Sequence, residues 1–448
     1  MVYRDPSDVA EEIDHEAVAI AELNRRARRL RAAVQVPLLL VGIACGIVLY
    51  LVLRDIQFAR NGAHSPWLTG VVSFVPTFGG AFRVAPWVAS LVLCLIAIML
   101  GTGVLIRGER RFGGFAIASG ALGFSLAYLA TLSSLGKLEN VVVWSALLAA
   151  TLRYATPLIF AAIGGMFSER SGVVNIGLEG MMLMGAFFGI LAADKLGSWW
   201  MGLLVGILSG GLMAALHAVI SIHLRADQIV GGTAINFLAL GLTGYLFIDI
   251  YGQEGTPTDI SSIPQVNLPL LGHLPGIGHF LEDVFGHMNL MIWVALILVP
   301  ISWVVLFKTP LGLRIRSVGE HPRAADTVGI SVYGIRYGAV ISSGMLAAAG
   351  GAFLSIGFVN SFNENMTAGR GFIALAAMIF GNWRPFGAAA ACLLFGFSSA
   401  LAQRLPEYSD SAAVLFQALP YVLTLIAVAG VIGRSIPPAA DGRPYKKS

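Results

Sequence analysis

Residues 168–180 read Ser-Glu-Arg-Ser-Gly-Val-Val-Asn-Ile-Gly-Leu-Glu-Gly, a polar and glycine-rich interruption set among apolar runs at 141–163 and 173–193. Each run is near the roughly 20 residues that carry a helix across about 30 Å of hydrocarbon. Charge near a bilayer centre costs on the order of 2.5–3.5 kcal/mol per residue on insertion scales, so Asn175 and Glu179 are expected to face protein or a wet cavity. The interruption therefore points to a membrane-spanning chain with a transport pathway.

Composition agrees. The 448 residues are 56% hydrophobic and 12% charged, with a mean hydropathy of +0.78, far from the roughly 25% charged residues of soluble domains. The formal charge of +4 sits in arginine clusters beside apolar spans, where it sets orientation, so nucleic acid is not an expected partner. Cys45, Cys94 and Cys392 each lie inside an apolar run without metal-type spacing, which reads as packing, not disulfides or zinc. About thirty polar residues precede the first apolar run, so a cleavable signal peptide is not expected.

The N-terminal 1–35 has capping-box spacing at Asp8 and Glu11, then helical periodicity and an arginine cluster, which predicts a basic surface helix on the cytoplasmic face. Residues 36–138 hold three further spans, at 36–53, 87–106 and 112–132. Residues 139–433 hold the remainder: 141–163, 173–193, 199–224, 229–251, 290–307, 337–357, a divided stretch at 371–401, and 412–433. Residues 434–448 form a short tail. The expected fold is all-α, a polytopic membrane helix bundle of about ten to twelve spans with broken or re-entrant helices.

Lysine and arginine collect in 107–111 and in 308–336, which places both loops, and both termini, on the cytoplasmic side. The proline-rich loop 252–287 contains four acidic residues and no lysine or arginine, and is expected outside. Residues 371–381 span only about 16 Å as a helix, too short to cross alone, before Asn382-Trp-Arg-Pro385 interrupts them. Either a half-helix turns back there or two tilted crossings meet. Small residues recur every fourth position at Gly202, Gly206, Gly210, Ala214 and Ala218, and at Ser343, Ala347, Gly351 and Ser355, a pattern that lets helix backbones approach closely.

Catalysis finds no support. There is no phosphate loop, nucleophile elbow or HExxH, and Gly276-Ile-Gly278 is too little for a dinucleotide fingerprint. No cofactor or metal is expected, and His217 and His223 read as packed or interfacial.

The segment from Thr309 to Ile330 is punctuated by Pro310 and Pro322 into short helical pieces around Gly319. By composition it is equally an ordinary basic loop and a partner-binding element. Its run Gly-Leu-Arg-Ile-Arg-Ser-Val-Gly-Glu-His-Pro-Arg-Ala-Ala325, together with Thr151 to Ala186, Gly231-Gly-Thr-Ala-Ile-Asn236 and Gly369-Arg-Gly-Phe-Ile-Ala-Leu-Ala-Ala-Met-Ile-Phe-Gly381, resembles the permease subunits of ATP-binding-cassette importers for nucleosides and simple sugars. The likeness covers about 141–433, and Asn382-Trp-Arg-Pro385 departs from the glycine-rich turn expected there.

That resemblance implies a non-catalytic permease, paired with a second permease subunit, driven by a cytoplasmic ATPase and fed by an external substrate-binding lipoprotein, in a bacterial inner membrane. It assigns Gly319, Glu320, Arg323, Ala324, Ala325 and Gly329 to the ATPase contact. The expected substrate path runs through Asn175 and Glu179, read as one helical turn apart, with Thr233 and Asn236 from another span. Asn360, Asn363 and Arg370 are weaker candidates near the outer mouth, and Phe187 and Phe237 suit a neutral polar solute. Against this, Glu179 reads equally well as a structural carboxylate bonded to backbone at the break, and Asn175 as a helix cap. A branched-chain amino acid importer, an ion-coupled secondary transporter, a membrane-embedded enzyme and a scaffolding subunit are the alternatives.

Overall fold

The computed structural model describes residues 144–257, 259–268, 278–404 and 436–447. The expected N-terminal helix, the three early spans, Cys45, Cys94 and the run 412–433 lie outside them.

The described residues form a helix bundle. Helix α1 (Trp144–Arg170) is followed by α2 (Leu178–Leu196) and by α3 (Trp199–Ala218), which runs on as a π-helical turn (Val219–His223). Helix α4 (Gln228–Tyr251) starts at an Asp227 cap, whose carboxylate accepts the N–H groups of Ile229 and Val230 at 2.8 and 3.0 Å. Helix α6 (Leu290–Lys308) leads into two short helices, α7 (Pro310–Glu320) and α8 (Pro322–Thr327). Each of these carries proline at its first position, where no N–H is needed. Helix α9 (Val332–Ala352) continues as a π-helical turn (Phe353–Val359), and α10 (Arg370–Phe380) and α11 (Pro385–Arg404) follow.

Among the described residues five helical stretches are long and apolar enough to cross a membrane. The all-α reading holds, with one addition. The loop between α4 and α6 carries a short helix α5 (Gly278–Phe285) and a two-stranded antiparallel ladder, β1 (Gln265–Asn267) with β2 (His287–Asn289), in register Gln265 to Asn289. Three-residue strands leave no alternation to read in a sequence.

Helix α6 spans about 28 Å at 1.5 Å per residue, with the ladder at one end and α7–α8 at the other. The ladder end is closed by the Ile263 N–H donating to the Ile356 carbonyl at 3.0 Å, and by Asn289 Nδ2 donating to the carbonyls of Ile263 and Gly357, each at 3.1 Å. Helices α2, α3 and α9 pack through the small residues noted in the sequence. A Cβ added at Gly206 would lie 2.8 Å from the Gly185 carbonyl oxygen, and one at Gly210 the same distance from that of Gly344. Cys392 is buried in the same core.

Two boundaries move. Residues 171–177 are not helical, so the run read as 173–193 becomes a helix only from Leu178. Residues 332–336 belong to α9, so the loop read as 308–336 ends at Ser331, and Arg336 is buried instead of lining a basic loop. The stretch 371–401 resolves into the first of its two alternatives. Asn382 and Trp383 both adopt left-handed backbone (φ 53°) and turn α10 back into α11, with Gly381 against Gly387 and Ala388.

Candidate functional site

The break between α1 and α2 is non-helical backbone within the packed bundle, so its polar groups need partners from elsewhere. The turn starts at Gly172, in left-handed conformation (φ +86°), and Ser168 Oγ donates to the Val173 carbonyl at 2.7 Å. The Val174 N–H donates to Gln228 Oε1 at 2.8 Å, and its carbonyl lies 3.1 Å from His217 Nε2. Asn175 Nδ2 donates to Ser343 Oγ at 2.9 Å. Asn236 Nδ2 donates to the Ile176 carbonyl at 3.0 Å, while its Oδ1 accepts the Gly180 N–H at 2.8 Å. Side chains from α3, α4 and α9 thus stand in for the missing helical ladder, and Asn236 caps α2, whose own N-cap residue, Gly177, contributes no side-chain bond.

A second break meets the first. Residues 361–369 lead back from the ladder end toward the interior, where α10 begins without a side-chain cap of its own. Glu179 supplies one: its two oxygens accept the N–H groups of Gly369 (2.8 Å) and Gly371 (2.6 Å). A carboxylate at the positive end of a helix dipole, with charge-assisted bonds to its first amides, is held favourably at 8% exposure. In this polar knot Glu179 therefore fastens the start of α2 to that of α10, while Asn236 fastens the start of α2 to α4.

The structure brings Asn175, Glu179 and Asn236 into this knot, but not by the spacing expected. Asn175 precedes α2, so it does not share a helical face with Glu179, and it does not cap that helix either. Its Oδ1 accepts no hydrogen bond among the described residues. Thr233 bonds its own helix, Oγ1 to the Ile229 carbonyl at 2.9 Å, and with Phe237 (70% exposed) lies away from the knot. Phe187 is fully buried between Phe188 and Phe362, with ring centroids 5.3 and 5.2 Å away. Asn360, in left-handed backbone (φ 55°), ends the π-helical turn near Ile260, and Asn363 is exposed. Arg370 folds onto the Met366 and Thr367 carbonyls at 2.7 and 3.2 Å.

At the opposite end, α7 and α8 are joined by the single residue His321. Glu320, Arg323, Ala324 and Gly329 are exposed. Gly319 and Ala325 turn inward instead: Gly319 abuts the Arg170 carbonyl so closely that no Cβ fits, and Ala325 packs with Val318, Val332 and Tyr445. Below them Trp383 Nε1 donates to Glu169 at 2.7 Å, and Arg170 donates to the Trp383 carbonyl at 2.9 Å. The contacts of Gly319 with Arg170, of Ala325 with Tyr445 and of Trp383 with Glu169 and Arg170, and the burial of Arg336, carried no local signal, because each joins residues more than a hundred positions apart. Among the described residues no cluster of three or more His, Cys, Asp or Glu is arranged to hold a metal.

Residues 147–428 match the family described as the permease component of the branched-chain amino acid transport system. The chain belongs to this permease family. The permease is 45% identical over 320 residues to the guanosine ABC transporter permease protein NupQ of Bacillus subtilis, covering 69% of this chain and 99% of that one. It is 44% identical over 306 residues to the nucleoside ABC transporter permease protein NupC of Lactococcus lactis (66% and 95%). To a putative glucose ABC transporter permease of Haloferax volcanii it is 39% identical over 267 residues (59% and 78%). No solved structure matches the permease. As a member of this family it is a multi-pass membrane subunit and not itself an enzyme.

Proposed function

We propose that this permease forms half of the transmembrane path of an ATP-driven nucleoside importer. The observation that carries the reading is the 45% identity that extends over 99% of a guanosine permease, ahead of the 39% shared with a glucose permease. A separate ATPase docks on the exposed residues Glu320, Arg323, Ala324 and Gly329 of the α7–α8 element, while Gly319 and Ala325 seat that element on the bundle. A second permease subunit completes the path, and an external binding protein delivers the solute at the ladder end.

Charge supports this orientation in a bacterial inner membrane. Lys308, Arg314, Arg316, Arg323, Arg384 and Arg443 gather at the α7–α8 end, whereas Glu254, Asp259, Glu282 and Asp283 belong to the ladder-end loop. Both termini lie on the cytoplasmic side. Alternating access proceeds by rocking about the knot of Asn175, Glu179 and Asn236. Asn175 has acceptor capacity left over for a polar solute when the packing around it opens.

The test is to reconstitute the co-purified complex and screen nucleosides, pentoses, glucose and leucine for stimulated ATP hydrolysis and uptake. Nucleosides should stimulate both. Stimulation by leucine alone rejects the nucleoside reading, and uptake by the isolated chain under an ion gradient rejects the ATP-driven one.

A further inference from the structure

The matched family region ends at residue 428, yet residues 436–447 pack on the bundle and contact α7, α8, the start of α9 and the α10–α11 turn. The Ala440 N–H donates to the Gly319 carbonyl at 2.9 Å, and the Ala439 N–H to Glu320 Oε2 at 3.2 Å. The Ile436 N–H donates to Asn382 Oδ1 at 3.1 Å. Tyr445 stacks edge-on against Tyr333 with ring centroids 5.5 Å apart, and Lys447 lies 3.9 Å from Asp326. None of these contacts was visible in the twelve residues of the tail.

The same tail reaches the α1–α2 break. Arg336, 1% exposed, donates through Nε to the Ser171 carbonyl at 3.2 Å and through Nη1 to the Arg443 carbonyl at 3.1 Å, so its guanidinium bridges break and tail. The Ala440 carbonyl oxygen stands beside Gly172, 3.1 Å from where a Cβ would be, and Val174 lies beside Gly442. Ser171 and Gly172 lead directly into Val174, Asn175 and Ile176, whose polar groups tie the knot to α3, α4 and α9.

We propose that residues 436–447 are a strap that carries displacement of the α7–α8 element to the Ser171–Gly177 break, with Ala440 and Arg336 as its two positioning contacts. The direct touch of Gly319 on the Arg170 carbonyl is a van der Waals contact, which resists compression but not separation. Directional hydrogen bonds resist separation as well. With the strap in place the break follows α7 in both directions through directional bonds; without it only the packing contact and the longer-range attraction of Glu320 for Arg170 join the two. This rests on the proposed ATP-driven import, since the strap needs a motor acting on Glu320.

The experiment uses the complete complex in proteoliposomes, with guanosine as solute, and reads uptake, ATP hydrolysis and melting temperature on the same preparation. Three versions are compared: intact, truncated before Ile436, and Ala440→Pro, which removes the N–H given to Gly319. The strap predicts ATP hydrolysis within two-fold of the intact complex, and uptake per ATP reduced ten-fold or more by truncation and at least three-fold by Ala440→Pro. Unchanged uptake per ATP in both variants overturns it. So does a parallel fall in uptake, hydrolysis and melting temperature, which marks a merely structural tail. Absence of ATP-dependent uptake by the intact complex overturns the importer reading instead.

Discussion

The Glu179 carboxylate and the Gly371 amide meet at 2.6 Å, and they meet where no larger residue fits: a Cβ at Gly371 would lie 2.6 Å from both the Cα and the backbone nitrogen of Glu179. A charged side chain in the first turn of one broken helix thus fastens the first turn of another. Glu179→Gln keeps the shape but offers one acceptor and two donors to a pair of N–H groups. Hydrogen bonds to charged groups are worth about 1.5–3 kcal/mol each, so this variant should lower the melting temperature of the solubilised complex and cut uptake together. Uptake lost at an unchanged melting temperature would instead assign Glu179 to solute contact.

Gly371→Ala tests the same meeting from the other side. Overpacking a close backbone approach costs about 1–3 kcal/mol, and the obstruction here is backbone, which cannot swing aside. Gly369, with nothing near its Cβ position, has room but left-handed backbone (φ +84°), so Gly369→Asn should be tolerated better than Gly371→Ala. Expression and thermal melts of the two variants decide this; equal losses contradict it.

Asn236→Ala removes both the cap on Gly180 and the donor to Ile176. Loss of a cap of this kind costs about 0.5–2 kcal/mol. Asn363→Ala, an exposed position, should leave both stability and uptake unchanged. If the two variants behave alike, the knot at the α2 start does not carry weight in the bundle.

Arg336→Lys should fail to replace arginine. The planar fork reaches the Ser171 and Arg443 carbonyls at once, whereas an ammonium is a compact point charge. The expected signature is faster hydrogen exchange in 436–447, with the lysine variant closer to Arg336→Met than to wild type.

Burial pushes the Asp441 carboxyl up from 3.8 to about 7, against the pull of the Gly442 N–H and the Arg336 guanidinium. The neighbouring Glu169 carboxylate is the other acid at this spot. A carboxyl raised in the folded state stabilises docking fully below about pH 4 and loses that contribution as pH rises to about 7. Protection of the Ala440 amide, corrected for intrinsic exchange, should therefore fall between pH 5 and pH 8. Asp441→Asn should flatten that dependence; an unaltered profile would assign it to Glu169.

The membrane bundle, the small-residue packing of α3 and α9, the interruptions at 168–180 and 382–385 and the proline-started α7 and α8 were legible because each is written locally, in hydropathy, spacing or turn chemistry. The Asn175–Glu179 pairing was not, because a helical period was extended through Ser171–Gly177, where Gly172 and distant caps stop the helix. Gly319 and Ala325 looked like contact residues by likeness, whereas small size there serves close approach to Arg170 and Tyr445.

Sequence by itself determined that this chain is a membrane helix bundle, where its first break falls and which residues could not face lipid, since burial cost and helix propensity are properties of short segments. Tertiary structure decided what those residues bond to: Glu179 to α10, Asn236 to α2, Arg336 to the tail. A buried polar group must find a partner, but which one depends on how distant helices meet, and that is set by packing of the whole bundle rather than by neighbours in the chain.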